Sequence, residues 1–106
     1  MNFNEYQQSI EKFAVYPREN KLAAVSYVAL GLNGEAGEVA EQIKKAIRND
    51  SRITEERRAK ILAELGDVLW YAARMATELD TDLAEIAKNN VAKLDERLRR
   101  EELKHE

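Results

Sequence analysis

Two acidic pairs in this chain have the spacing to do chemistry. Glu35 and Glu38 lie in Gly34-Glu35-Ala36-Gly37-Glu38-Val39-Ala40-Glu41, and Glu64 and Asp67 lie in Ala63-Glu64-Leu65-Gly66-Asp67-Val68. Both pairs are spaced i, i+3, so on a helix each pair shares one face. At about 100° per residue, with Glu35 at zero, Glu38 falls at about 300° and Leu32 and Val39 at about 40–60°. The carboxylates therefore border the apolar stripe. The same arithmetic sets Glu64 and Asp67 beside Ile61 and Val68. If the two stripes pack, four carboxylates meet at the seam, where repulsion and lost hydration disfavour their charged forms. A divalent cation relieves that cost. Oxygen donors without Cys or a nearby His suit Mg²⁺, with Mn²⁺ as a substitute, over zinc or copper. Mg²⁺ typically combines carboxylates with substrate phosphates, so the chemistry would be nucleotide hydrolysis. The plainer reading is solvated surface charge: a chain with twenty acids also forms Glu38–Glu41 and Asp82–Glu85 at the same spacing.

The elements that must hold these pairs are helices. Tyr6, Ile10, Phe13 and Ala14 recur at helical spacing from Glu5 to Val15, with Asn4 as N-cap and Phe3 as staple residue. Pro17 ends that pattern. A long second helix is predicted from Lys21 or Leu22 to Arg48, with Val28, Leu32, Ala36, Val39, Ile43 and Ile47 on its stripe. Asn49-Asp50-Ser51 reads as a loop, and Thr54 caps a third helix whose stripe holds Ile61, Leu65, Val68, Ala72 and Met75. A break at Leu79-Asp80-Thr81 precedes a fourth helix, Asp82 to Glu102, with Leu83, Ile86, Ala87, Val91, Leu94 and Leu98. No alternating segment argues for a strand, and short loops between helices suggest a bundle. Gly31, Gly34 and Gly37 interrupt the second helix at about 1 kcal/mol each relative to Ala. Close approach of another backbone or a ligand would explain them, as would a local kink.

Composition narrows the classes. The chain of 106 residues fits a single domain, expected over residues 1–106, and its 17 Lys plus Arg against 20 Asp plus Glu leave a net charge of −3. That balance argues against a nucleic-acid binder. With no Cys there is no disulfide framework, thiol nucleophile or Cys-ligated metal. No apolar run approaches the length of a membrane span, and the start lacks the pattern of a signal peptide, so a cytoplasmic setting is expected. A domain this small buries a modest fraction of its surface, and association between copies is the easy way to cover the remaining apolar stripes.

The combination of motifs resembles the MazG-like all-α nucleoside triphosphate pyrophosphohydrolases. Glu35-x-x-Glu38, then twenty-five residues, then Glu64-x-x-Asp67 is similar to that family's signature. Leu30-Gly31-Leu32-Asn33-Gly34-Glu35-Ala36-Gly37-Glu38-Val39 is similar to its first motif helix and Glu64-Leu65-Gly66-Asp67-Val68-Leu69-Trp70-Tyr71 to its second. Lys88-Asn89-Asn90-Val91-Ala92-Lys93-Leu94 looks like its downstream Asn and Lys segment, so the likeness spans about Leu22 to Arg97. The resemblance implies a four-helix-bundle-like fold completed by dimerisation, as a homodimer or tetramer. It implies hydrolysis of a nucleoside triphosphate to monophosphate and pyrophosphate, with Mg²⁺ held by Glu35, Glu38, Glu64 and Asp67.

Further residues fit that chemistry. One carboxylate free of metal could take the proton of the attacking water; Glu38 and Glu41 are the candidates. On the fourth helix Asn90, Lys93 and Arg97 lie within about 60° of one another, a polar ridge suited to phosphates or simply a solvated basic face; the resemblance favours Asn90 and Lys93. Lys45 lies near the face of Glu38, whereas Lys44 points away from Glu35. Tyr71, one turn beyond Asp67, and Tyr27 are candidates to touch the nucleotide. Trp70 is expected in a core or interface, Tyr6, Phe13 and Tyr16 in packing, and His105 in a surface tail. The alternative is a non-catalytic helical oligomerisation or interaction module.

Overall fold

Side-chain caps decide where the helices begin. Asn2 accepts from the Glu5 amide while Glu5 accepts from the Asn2 amide, a reciprocal capping box that opens α1 (Phe3–Ile10). The cap is thus Asn2 and not Asn4, because Glu5 sits three residues after Asn2 and can return the bond. Asn20 caps α2 (Lys21–Asn49) through the Ala23 amide, and Thr54 caps α3 (Glu55–Glu78) through the Arg57 amide. The Asp82 carboxylate accepts from the Glu85 amide at the start of α4 (Leu83–Lys104). This computed structural model describes residues 1–104, all helix or connecting turn, with no strand among the described residues. His105 lies outside them.

The first helix is shorter than its periodicity predicts. It ends at Ile10 and continues only as a 3-10 turn, Glu11–Phe13. Phe13, expected to pack, is 57% exposed, with the Lys12 ammonium over its ring. Tyr16 is buried just before Pro17, so the chain turns there to anchor an aromatic ring. In contrast, α2 runs unbroken through all three interior glycines.

α2 and α3 form the body of the molecule, an antiparallel pair with the dominant helix–helix contact. Its seam is made of small residues at one end. Ala24, Val28, Ala73 and Ala76 are buried, and Trp70 packs against both core clusters. Towards the α2–α3 turn, Ala46 is buried and Ile47 is 66% exposed, so the stripe is rotated by one residue from the predicted one. α1 lies across α3 and α4. Gln7 ties the three together, donating to Thr77 Oγ1 at 3.1 Å and accepting from the Leu83 amide at 2.7 Å.

One end of the pair is closed by a charged core. Arg74 is fully buried and Glu78 nearly so. Arg74 Nε donates to the Tyr16 hydroxyl at 3.0 Å, and its guanidinium also meets Glu11 and Glu78. Arg18 Nε reaches the same Glu78 carboxylate at 2.9 Å, and the Tyr16 hydroxyl donates to it. Two cations balance two anions, and no buried side-chain N or O among the described residues lacks a partner. Arg74 holds the Glu11 carboxyl below its usual range by hydrogen bonding to it.

α4 is different. It touches α1 and α3 but not α2. From Lys88 onward every described residue is exposed. Its predicted stripe is therefore uncovered in the single chain: Val91, Leu94 and Leu98 are 57%, 49% and 59% exposed. Leu62, Leu65 and Leu69 on α3 are exposed as well. The radius of gyration is 17.5 Å, against about 13 Å for a compact domain of this length.

Removing one partner of the charged core leaves the others buried without balance. Arg74→Ala is expected to lose about 3–5 kcal/mol in urea unfolding, whereas Lys88→Ala on the free part of α4 stays within about 0.5 kcal/mol. Glu11, being held below its usual range, contributes stability above its unfolded pKa and loses it as the pH falls through the folded value. The stability gap between wild type and Glu11→Gln should therefore be present at neutral pH and close in acid; a constant gap across that range contradicts the assignment.

Candidate metal centre

Halfway along the α2–α3 pair, carboxylates from the two helices meet. Glu35, Glu64 and Asp67 each offer an oxygen such that all three lie within 4.8 Å of one another. Glu35 and Glu64 are half-buried and Asp67 is exposed, so the group opens to solvent on one side. The helix repeat sets both pairs at stripe edges that pack together, but of the four carboxylates expected at the seam Glu38 stays outside the group.

The electrostatics show the strain of that arrangement. The Glu35 carboxyl is pushed above the usual carboxylate range, first by burial and then by Asp67, Glu64 and Glu38. A proton or a cation among the three would relieve their mutual repulsion. The donor set is all oxygen, without Cys or His, and suits a hard divalent ion of the Mg²⁺ or Mn²⁺ type. The side chains present therefore fit such an ion.

The other predicted residues distribute unevenly. Glu38 is exposed and is not among the three clustered carboxylates, though its charge acts on Glu35. Glu41 pairs with Lys44 at 3.1 Å, which holds its carboxyl below the usual range. Lys45 lines a cavity of about 310 Å³ near the α2–α3 turn, shared with Gln42, Asn49, Thr54, Glu56, Arg57 and Lys60, and Lys60 pairs there with Glu56 at 3.5 Å. Lys60 was not singled out by the motifs. It lies one turn before Glu64, and that i, i+4 spacing was the available signal.

Tyr71 is half-buried on the opposite side of the carboxylates from this cavity. Its ring lies against Gly31 and edge-on to Trp70, centroids 5.0 Å apart. Burial raises its hydroxyl pKa, followed by the charges of Tyr27, Glu35 and Asp67. Tyr27 stacks on Tyr16 at 5.2 Å and is 44% exposed. Asn90 and Lys93 share a concave patch of α4 with Ile86 and Asn89, and Arg97 lines a separate one with Arg100, Glu101 and Lys104. α4 does not touch α2, and both patches are lined by α4 residues alone.

An antiparallel helix pair carrying clustered carboxylates at its middle defines an all-α protein with a candidate oxygen-donor cation site. Residues 25–100 match the MazG nucleotide pyrophosphohydrolase domain, and the chain belongs to that family. It is also 42% identical over 101 residues to the Gene 37 protein of Mycobacterium phage L5, covering 92% of this chain and 89% of that protein. That protein's name states no activity. No solved structure matches at a significant level. No described helix is long and apolar enough to cross a membrane.

Crowded carboxylates cost stability without a cation, so neutralising one should stabilise the metal-free protein. Glu35→Gln is expected to melt higher than wild type in EDTA and to gain little on adding Mg²⁺, whereas wild type gains clearly. The raised pKa of Glu35 adds a sign: in EDTA the advantage of the variant is present at neutral pH and disappears as the pH falls below the Glu35 value. A lower melting temperature for Glu35→Gln in EDTA contradicts this.

Proposed function

We propose that the protein is a Mg²⁺-dependent nucleoside triphosphate pyrophosphohydrolase: a ribo- or deoxyribonucleoside triphosphate and water give the monophosphate and pyrophosphate. The observation that carries this reading is the Glu35–Glu64–Asp67 cluster within the matched family domain. Glu35, Glu64 and Asp67 would hold the ion, with Glu38 completing the set or acting beside it. Such an ion would supply charge neutralisation for phosphate oxygens and would lower the pKa of the attacking water.

The chain's own residues supply the rest. Glu38 is exposed next to Glu35 and accepts the proton of the attacking water. Glu41 is the poorer base, because its Lys44 partner lowers its proton affinity. Lys45 and Lys60 lie on the turn side of the carboxylates and meet the terminal phosphates, whereas Tyr71 lies on the other side and meets the nucleoside. Cleavage between the α and β phosphates then leaves pyrophosphate on the cationic side.

A second copy of the chain completes the site. The uncovered leucines of α3 and α4, together with the large radius of gyration, support a homodimer, with a tetramer built from two such units. Packing of α4 against a neighbouring copy brings Asn90, Lys93 and Arg97 towards the phosphates. The reaction serves control or cleaning of nucleotide pools in the cytoplasm.

Phosphorus NMR of a nucleoside triphosphate mixture with Mg²⁺ tests the reaction. The expected products are monophosphate and pyrophosphate, with Glu38→Gln slower by about 10²-fold or more. Release of diphosphate and orthophosphate contradicts the cleavage position, and no turnover favours a non-catalytic helical module. Lys93→Ala is expected to raise KM for the triphosphate without weakening Mn²⁺ binding; an unchanged KM removes Lys93 from the site.

A further inference from the structure

Of the three glycines inside the first motif helix, packing within the chain requires one. A Cβ at Gly34 or Gly37 meets nothing within 4 Å. A Cβ at Gly31 falls 2.1, 2.4 and 2.6 Å from Cε1, Cζ and Cδ1 of Tyr71. Those are ring positions, not the tip of a pliant chain, and the ring is held from the side by the Trp70 edge contact. Trp70 in turn meets Tyr16 edge-on, with centroids 6.4 Å apart, and Tyr16 belongs to the charged core. The ring can yield only by leaving Trp70 or by pushing α2 and α3 apart.

The location of this contact gives it a consequence. Gly31 lies one turn before Glu35 on α2, and Tyr71 lies one turn after Asp67 on α3. In an antiparallel pair the glycine and the tyrosine form the layer next to the carboxylates. We infer that Gly31 is a positioning residue of the metal centre: its missing side chain seats the Tyr71 ring against α2, and that contact fixes the separation at which Glu35 meets Glu64 and Asp67. Gly31 touches no substrate and no ion; it acts through Tyr71. The inference rests on the reading of the three carboxylates as cation ligands.

The test measures Mn²⁺ binding by electron paramagnetic resonance, alongside pyrophosphate release by wild type. Gly31→Ala is expected to weaken Mn²⁺ binding by tenfold or more while the helical circular dichroism is retained. In a Tyr71→Ala background the same substitution should cause no further loss, because the clashing ring is gone. Should Gly31→Ala not fold, Tyr71→Leu approaches the contact from the other side, and its Mn²⁺ affinity is expected to fall. Wild-type affinity in Gly31→Ala, or in Tyr71→Leu where that variant is needed, overturns the inference, as does an equal effect of Gly31→Ala with and without Tyr71. A wild type that binds Mn²⁺ without hydrolysing nucleotides, with Gly31→Ala still impaired, keeps the spacer and removes the proposed reaction. A wild type that releases pyrophosphate beside an unimpaired Gly31→Ala does the reverse. A wild type that binds no Mn²⁺ overturns both.

Discussion

Repulsion among three carboxylates held within 4.8 Å across two helices is the constraint around which the molecule is arranged. Side chains of like charge separate if their backbones allow it. Here they are held because α2 and α3 are long, antiparallel and pressed together over most of their length. Burial first, and then the charges of Asp67, Glu64 and Glu38, raise the proton affinity of Glu35. A cation that cancelled the repulsion would bind the folded chain in preference to the unfolded one.

Structure on either side of the carboxylates sustains that confinement. At one end, Arg74, Glu78, Tyr16, Glu11 and Arg18 lock the Tyr16 loop onto α3. Rings of Tyr16, Trp70 and Tyr71 lead from that core back towards the acids. At the other end, the short connection between Asn49 and Glu55 closes the hairpin, beside a cavity lined by Lys45 and Lys60. The carboxylate cluster thus lies between an aromatic side and a charged cavity in which Lys45, Arg57 and Lys60 stand beside Glu56.

Much of this was legible in the residues. Helical periodicity and the cap at Thr54 locate α2 and α3, and the i, i+3 acids at their stripe edges foretell a meeting of four carboxylates, of which Glu35, Glu64 and Asp67 converge and Glu38 does not. Other features depended on contacts that no local pattern encodes. Nothing local marks Arg74 and Glu78, a charged pair at i, i+4, as interior, yet both are buried where Tyr16, over fifty residues earlier, folds back onto them. Gly31, Gly34 and Gly37 look equivalent in sequence, and only the position of Tyr71 separates the first from the others. The periodicity of α4 correctly marks Val91, Leu94 and Leu98 as one face, but a stripe carries no information on whether its own chain or another copy covers it.

A cation held jointly by α2 and α3 would be seen most plainly by anomalous diffraction from crystals grown with Mn²⁺. The expected result is a peak about 2 Å from carboxylate oxygens of Glu35, Glu64 and Asp67. Crystals in which these three side chains turn apart into solvent, with no ion between them, contradict it.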